Sequence, residues 1–151
     1  MKHKKLIIAL GSIVSFILIV VVVFACYFGN YYHSNTNEEY LISTNEVKVL
    51  ETNDYIVYSP VDEVKLGIVF YPGAKVEYTA YAELMFNLAK YDILCVLVEM
   101  PFNLAVFDSN AAEGIQEQYP QIEEWYIGGH SLGGSIAASY LAEEADDYEG
   151  L

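Results

Sequence analysis

The sequence predicts an α/β fold: a doubly wound, mostly parallel sheet, incomplete within these residues and preceded by one transmembrane helix. Three observations predict it. Short apolar runs of the kind buried on both faces alternate with segments of helical periodicity. One such run, Glu124 to Gly128, passes through a glycine-rich corner, Gly129-His130-Ser131-Leu132-Gly133-Gly134, directly into a helix-forming segment. Finally, Leu6 to Phe28 gives 23 residues without a charge, rich in Ile and Val.

That apolar run makes a helix of ~35 Å at ~1.5 Å rise per residue, enough for a hydrocarbon core of ~30 Å. A secretory leader has an apolar region of only about 7–15 residues and a small-x-small cleavage site. The run here is longer and no such site is evident, so residues 6–28 are expected to stay as an uncleaved membrane anchor. Lys2, Lys4 and Lys5 precede the span, whereas the first charges beyond it are Glu38 and Glu39. The positive-inside rule then leaves residues 1–5 in the cytoplasm and exports the rest. Val23-Phe24-Ala25-Cys26 loosely resembles a lipoprotein cleavage box, which makes a lipid anchor at Cys26 the alternative.

Residues 29–44 are polar and irregular, a stalk whose Tyr31 and Tyr32 suit the membrane interface. Residues 45–151 form the domain proper. The net charge is −14, and beyond residue 30 four lysines face all 21 acidic residues, giving −17. Such a surface excludes a basic footprint for nucleic acid and disfavours highly anionic substrates. There is no arginine, and with it goes the usual bidentate clamp for phosphate or carboxylate. Cys26 and Cys95 fall in the span and in an apolar strand, so they cannot pair; Cys95 reads as a small core residue. No Cys/His cluster has metal-ligand spacing, and the reading requires neither metal nor cofactor.

Within the domain the elements follow in order. Glu46 to Glu51 alternates apolar and polar residues, Thr52-Asn53-Asp54 signals a turn, and Tyr55 to Tyr58 resumes as a strand, together an antiparallel hairpin at the sheet edge. Leu66 to Tyr71 and Ile93 to Val98 are continuous apolar runs, the pattern of buried parallel strands. Between them Val76 to Lys90 predicts a helix with Tyr81, Leu84, Met85 and Leu88 on its apolar face. Pro101 to Phe107 is an apolar loop. Asn110 and Glu113 fit a reciprocal cap opening a short helix that ends near Tyr119-Pro120. Tyr148 to Leu151 resembles the start of a further strand. In such sheets ligands bind beyond the carboxyl ends of the strands. Three segments meet there: Tyr71 to Ala74, Glu99 to Phe107 and Gly129 to Leu132.

The corner has the form Gly-x-Ser-x-Gly. A strand-to-helix turn this tight forces the serine into a strained backbone and excludes β-carbons beside it, hence Gly129 and Gly133. Ser131 then stands at a helix amino terminus, where the Leu132 amide and the helix dipole can receive a developing oxyanion. With Tyr71-Pro72-Gly73-Ala74 after the third strand and Gly-His-Ser-Leu-Gly-Gly at the elbow, residues 46–151 resemble the amino-terminal portion of the α/β-hydrolase superfamily. The resemblance implies serine-based acyl transfer from an ester or related small-molecule acyl substrate to water. It implies Ser131 as nucleophile, with Leu132 and either Ala74 or Gly73 as oxyanion donors, and His130 as a structural elbow residue.

The family triad runs Ser, then Asp or Glu, then His. The 20 residues after Ser131 contain no histidine. Glu143, Glu144, Asp146, Asp147 and Glu149 lie at or past the end of the elbow helix and read as solvated charges. His3 precedes the span, His33 lies on the stalk, and Asp108, Glu99 and Lys75 read as loop or surface polarity. The expectation is therefore a membrane-anchored extracytoplasmic serine hydrolase whose acid and base lie past Leu151, these 151 residues being inactive alone. The alternative is a non-catalytic α/β-hydrolase-like binding module.

Overall fold

The computed structural model describes residues 2–35, 38–144 and 147–151, without the side chains of Lys2, His3 and Lys5. It divides into two units, Met1–Asn30 and Tyr31–Leu151. The first is a single helix, α1 (Lys2–Gly29), continuous through Cys26. Its stretch Leu6–Gly29, 24 residues, is long and apolar enough to cross a membrane, and its side chains are exposed. The hydroxyl of Ser12 donates to the Ile8 carbonyl at 3.0 Å, so this polar group within the apolar stretch is satisfied inside the helix.

The second unit is built on a five-stranded sheet of order β1-β2-β4-β3-β5. Its strands are β1 (Val47–Glu51), β2 (Tyr55–Pro60), β3 (Leu66–Tyr71), β4 (Ile93–Val98) and β5 (Glu124–Gly129). β1 and β2 form the expected antiparallel edge hairpin, with Val49 opposite Tyr58. β3 runs parallel to both β4 and β5, so the three strands end on one edge of the sheet. Glu149 N–H donates to the Trp125 carbonyl (2.8 Å) and Ile127 N–H to the Gly150 carbonyl (3.1 Å), a parallel bridge on the outer side of β5.

Both faces of the sheet are covered, as the unbroken apolar runs require. Along β4, Cys95 and Leu97 face a core that includes Val47, Ile56, Tyr58, Met85 and Phe86. Leu94, Val96 and Val98 face the opposite core, with Val69, Ile127, Ala137 and Tyr140. α2 (Ala82–Ala89) closes the first face and α3 (Leu132–Glu143) the second. Burial drives the Cys95 thiol well above its usual range, so the cysteine is an inert core residue.

Two sequence expectations need correction. The helix foreseen over Val76–Lys90 begins with a tight turn at Tyr78–Tyr81 and becomes α-helical only from Ala82. Its buried face is Ala82, Met85, Phe86 and Ala89, with Leu84 turned outward, because small alanines let α2 approach the sheet closely. The capped helix from Asn110 is absent: Glu113 N–H bonds to the Asn110 carbonyl at 2.8 Å, and Gly114 then takes φ 72°, which no α-helix continues. Only the short turn Gln116–Gln118 follows.

A third difference concerns the stalk. Tyr31 to Asn35 is tied into the domain: Tyr32 bridges to Val76, its N–H donating to the Lys75 carbonyl (2.8 Å) and its carbonyl accepting Glu77 N–H (2.9 Å). Glu77 also accepts Ser34 N–H at 2.7 Å. These bonds make one isolated bridge to the loop after β3, a pairing that composition cannot reveal.

Candidate functional site

β5 ends at Gly129 and α3 starts at Leu132, so His130 and Ser131 alone make the corner, with Ser131 directly before the helix. Its backbone sits at φ 53°, ψ −119°, a strained combination for an L residue. Close packing enforces it. A β-carbon on Gly129 would lie 2.6 Å from the Gly133 carbonyl carbon, and one on Gly133 would overlap the Tyr71 and Pro72 carbonyl oxygens. His130 N–H donates to the Tyr71 carbonyl at 3.0 Å, pinning the corner to the end of β3. Ser131 is exposed, and its hydroxyl has no hydrogen-bond partner among the described residues. Leu132 N–H is the first amide of α3 and has no partner within the helix, so it is open to an anion.

Backbone strain gathers around this corner. Of the five non-glycine residues with positive φ among the described residues, Lys75 (57°), Phe102 (55°), Asn103 (55°) and Ser131 (53°) lie in the loops that follow β3, β4 and β5. These loops are stitched together. Lys75 N–H donates to the Asn103 carbonyl at 2.7 Å, and buried Tyr71 donates to the Ser109 carbonyl (2.9 Å) while accepting Ala112 N–H (3.0 Å). Burial raises the Tyr71 phenol well above its ordinary value, which keeps it a neutral donor.

Tyr81 is the residue that sequence reasoning missed. Placed there on an apolar helix face, it instead aims its hydroxyl at both sides of the site. Tyr81 Oη accepts Gly73 N–H at 3.1 Å and lies 2.9 Å from His130 Nδ1. Tyr81 thus ties the loop after β3 to the imidazole beside Ser131. Gly73 N–H is engaged, while Ala74 N–H, next in the chain, has no hydrogen-bond partner among the described residues. A tyrosine rather than a phenylalanine on that face was the only available signal.

The other candidates scatter. His33 pairs with Glu77 (3.6 Å) and stacks on Tyr31. Glu143, Glu144, Asp147 and Glu149 are exposed, and Asp146 lies outside the described residues. Glu99 and Asp108 line a cleft of about 640 Å³ with Asn53, Asp54, Met100 and Phe102; Ser131 is not in its wall. Partial burial, and then the neighbouring Asp54, raise the Glu99 carboxyl above its ordinary range. Among the described residues no group of three or more His, Cys, Asp or Glu is placed to hold a metal ion.

Comparison with known proteins bears on the fold and the family. A solved structure, carboxyl esterase 2 (TmelEST2) from the mycorrhizal fungus Tuber melanosporum, superimposes with a TM-score of 0.51 at 17% identity. The match covers 76% of this chain and 45% of the esterase, so the chain spans less than half of that protein's length. At such identity the likeness concerns the fold. No curated protein matches the sequence. The alpha/beta hydrolase family, however, matches residues 67–151, from β3 through the elbow helix. That is more than half of the sequence, and it places the chain in the alpha/beta hydrolase family.

Proposed function

We propose that the protein is a membrane-anchored, extracytoplasmic serine hydrolase acting on an ester or related acyl substrate, with Ser131 as nucleophile. The observation that carries the reading is the strained, exposed Ser131 between the open amide of Leu132 and the loop after β3. Attack on the acyl carbon would place the oxyanion between Leu132 N–H and Ala74 N–H. Ala74 is preferred over Gly73 because the Gly73 amide already donates to Tyr81. His130, held by Tyr81, acts as a scaffold of the elbow and not as the base.

A serine hydroxyl needs a proton acceptor within about 3 Å to become a competent nucleophile. Among the described residues none is hydrogen-bonded to the Ser131 hydroxyl, so the proton acceptor this reading needs is not among them. The same observation favours the second reading, a non-catalytic binding module with the hydrolase fold. A fluorophosphonate probe separates the two. Protein isolated from its native membrane labels at Ser131, and Ser131→Ala abolishes the label, if it is the enzyme. Absence of labelling in the native protein would leave the binding module. The 151 residues expressed alone are expected to label weakly or not at all, and strong Ser131-dependent labelling of that chain would refute the assignment of the base.

A further inference from the structure

The loop Pro101–Phe107 contains no charged residue, in a domain of net charge −17. Leu104 and Ala105 are buried, but Phe102 (63%), Val106 (52%) and Phe107 (52%) face outward. The two phenyl rings meet edge to face at 5.7 Å. Phe102 does this at φ 55°, ψ 24°, where a bulky residue is a genuine outlier. Strained backbone of this kind gathers at ligand clamps and functional sites.

A hydrogen-bonded ribbon connects this loop to the chain that follows α1. The Asn103 carbonyl accepts Lys75 N–H, and the Lys75 carbonyl accepts Tyr32 N–H. Tyr32 is itself 77% exposed. It is the third residue after Gly29, the last residue of the apolar stretch. Three residues of chain extend at most ~10 Å.

We propose that Tyr32, Phe102, Val106 and Phe107 form a lipid-docking edge of the domain. The partner is an uncharged or zwitterionic lipid surface, and the acyl substrate is drawn from it. This inference rests on the anchored-hydrolase reading. Tyrosine suits the headgroup level, and phenylalanine and valine the boundary beneath it. The acidic remainder of the domain disfavours anionic lipid.

Depth-dependent fluorescence quenching tests the edge. The full chain is reconstituted into phosphatidylcholine vesicles as Phe102→Trp, Val106→Trp and, within α1, Ile13→Trp, the signal of Trp125 in the parent being subtracted. Quenchers are placed on the lipid acyl chains at shallow or deep positions. Tryptophans at 102 and 106 are expected to be quenched at least twofold more by shallow than by deep labels, and the one at 13 by deep labels. Quenching at 13 without quenching at 102 and 106 overturns the docking edge and leaves the anchor standing. No quenching at any of the three overturns both. A concentration-dependent blue shift at 102 and 106 without quenching overturns the lipid partner in favour of a second copy of the chain.

Discussion

Gly133 offers the sharpest test of the elbow geometry. A β-carbon there would overlap the carbonyl oxygens of Tyr71 and Pro72 and lie 2.8 Å from the Tyr71 carbonyl carbon. These are backbone atoms at the end of β3, fixed by ladders to β4 and β5 and by the His130 amide. Unlike the tip of a side chain, they cannot swing aside. Overpacking costs ~1–3 kcal/mol, and a clash with fixed backbone belongs at the upper end, so Gly133→Ala is expected to cost about 3 kcal/mol. For a domain of this size that lowers Tm by roughly 10 °C. Gly128→Ala is the internal control. Its β-carbon would meet Ile68 Cδ1 at 3.4 Å and Phe70 Cδ2 at 3.8 Å, ordinary contacts with side chains. Glycine inside a strand costs ~0.5–1 kcal/mol relative to alanine, so this variant should melt slightly above the parent. Thermal unfolding of the three proteins in the same detergent micelles, followed by circular dichroism, reads the difference. Coincident melting of Gly133→Ala and parent would refute the close approach of elbow helix and β3 loop.

Ser131→Gly is expected to raise stability by about 1 kcal/mol, because glycine relieves strain worth ~1–3 kcal/mol at a cost of ~0.5–1 kcal/mol in unfolded-chain entropy. Ser131→Ala keeps the β-carbon and should melt with the parent; equal Tm values for the two variants would contradict the strain. Tyr58 is fully buried, and its hydroxyl has no partner among the described residues. Tyr58→Phe removes an orphaned polar group worth ~1–3 kcal/mol in desolvation, so denaturant unfolding should show it neutral or more stable, and a loss above 1 kcal/mol would argue for a hidden partner. Glu99 carries a carboxyl whose folded value is raised by burial and by Asp54. A raised carboxyl binds its proton more tightly in the folded state, so stability is fully present below the unfolded value and is lost as pH rises through the folded one. Glu99→Gln should therefore unfold at higher denaturant than the parent at neutral pH and show a smaller advantage in acid; no pH dependence in that difference would contradict the assignment.

By itself the sequence determined the class of the fold and the identity of its corner. Unbroken apolar runs over Leu66–Tyr71 and Ile93–Val98 can be satisfied only by a sheet covered on both faces, and glycines flanking Ser131 serve only where backbones nearly touch. Periodicity also placed the edge hairpin and the long apolar helix. It misjudged α2 by a turn and saw a helix at Asn110, because the approach distance of alanines and the positive φ of Gly114 are set by packing and not by spacing. What tertiary structure alone decided are the contacts between loops distant in sequence: the bridge of Tyr32 to Val76, the bond from Lys75 to Asn103, and Tyr81 joining Gly73 to His130. Most are made by backbone amides that every residue carries, and a side-chain pattern cannot say which amide will meet which carbonyl once the sheet has closed.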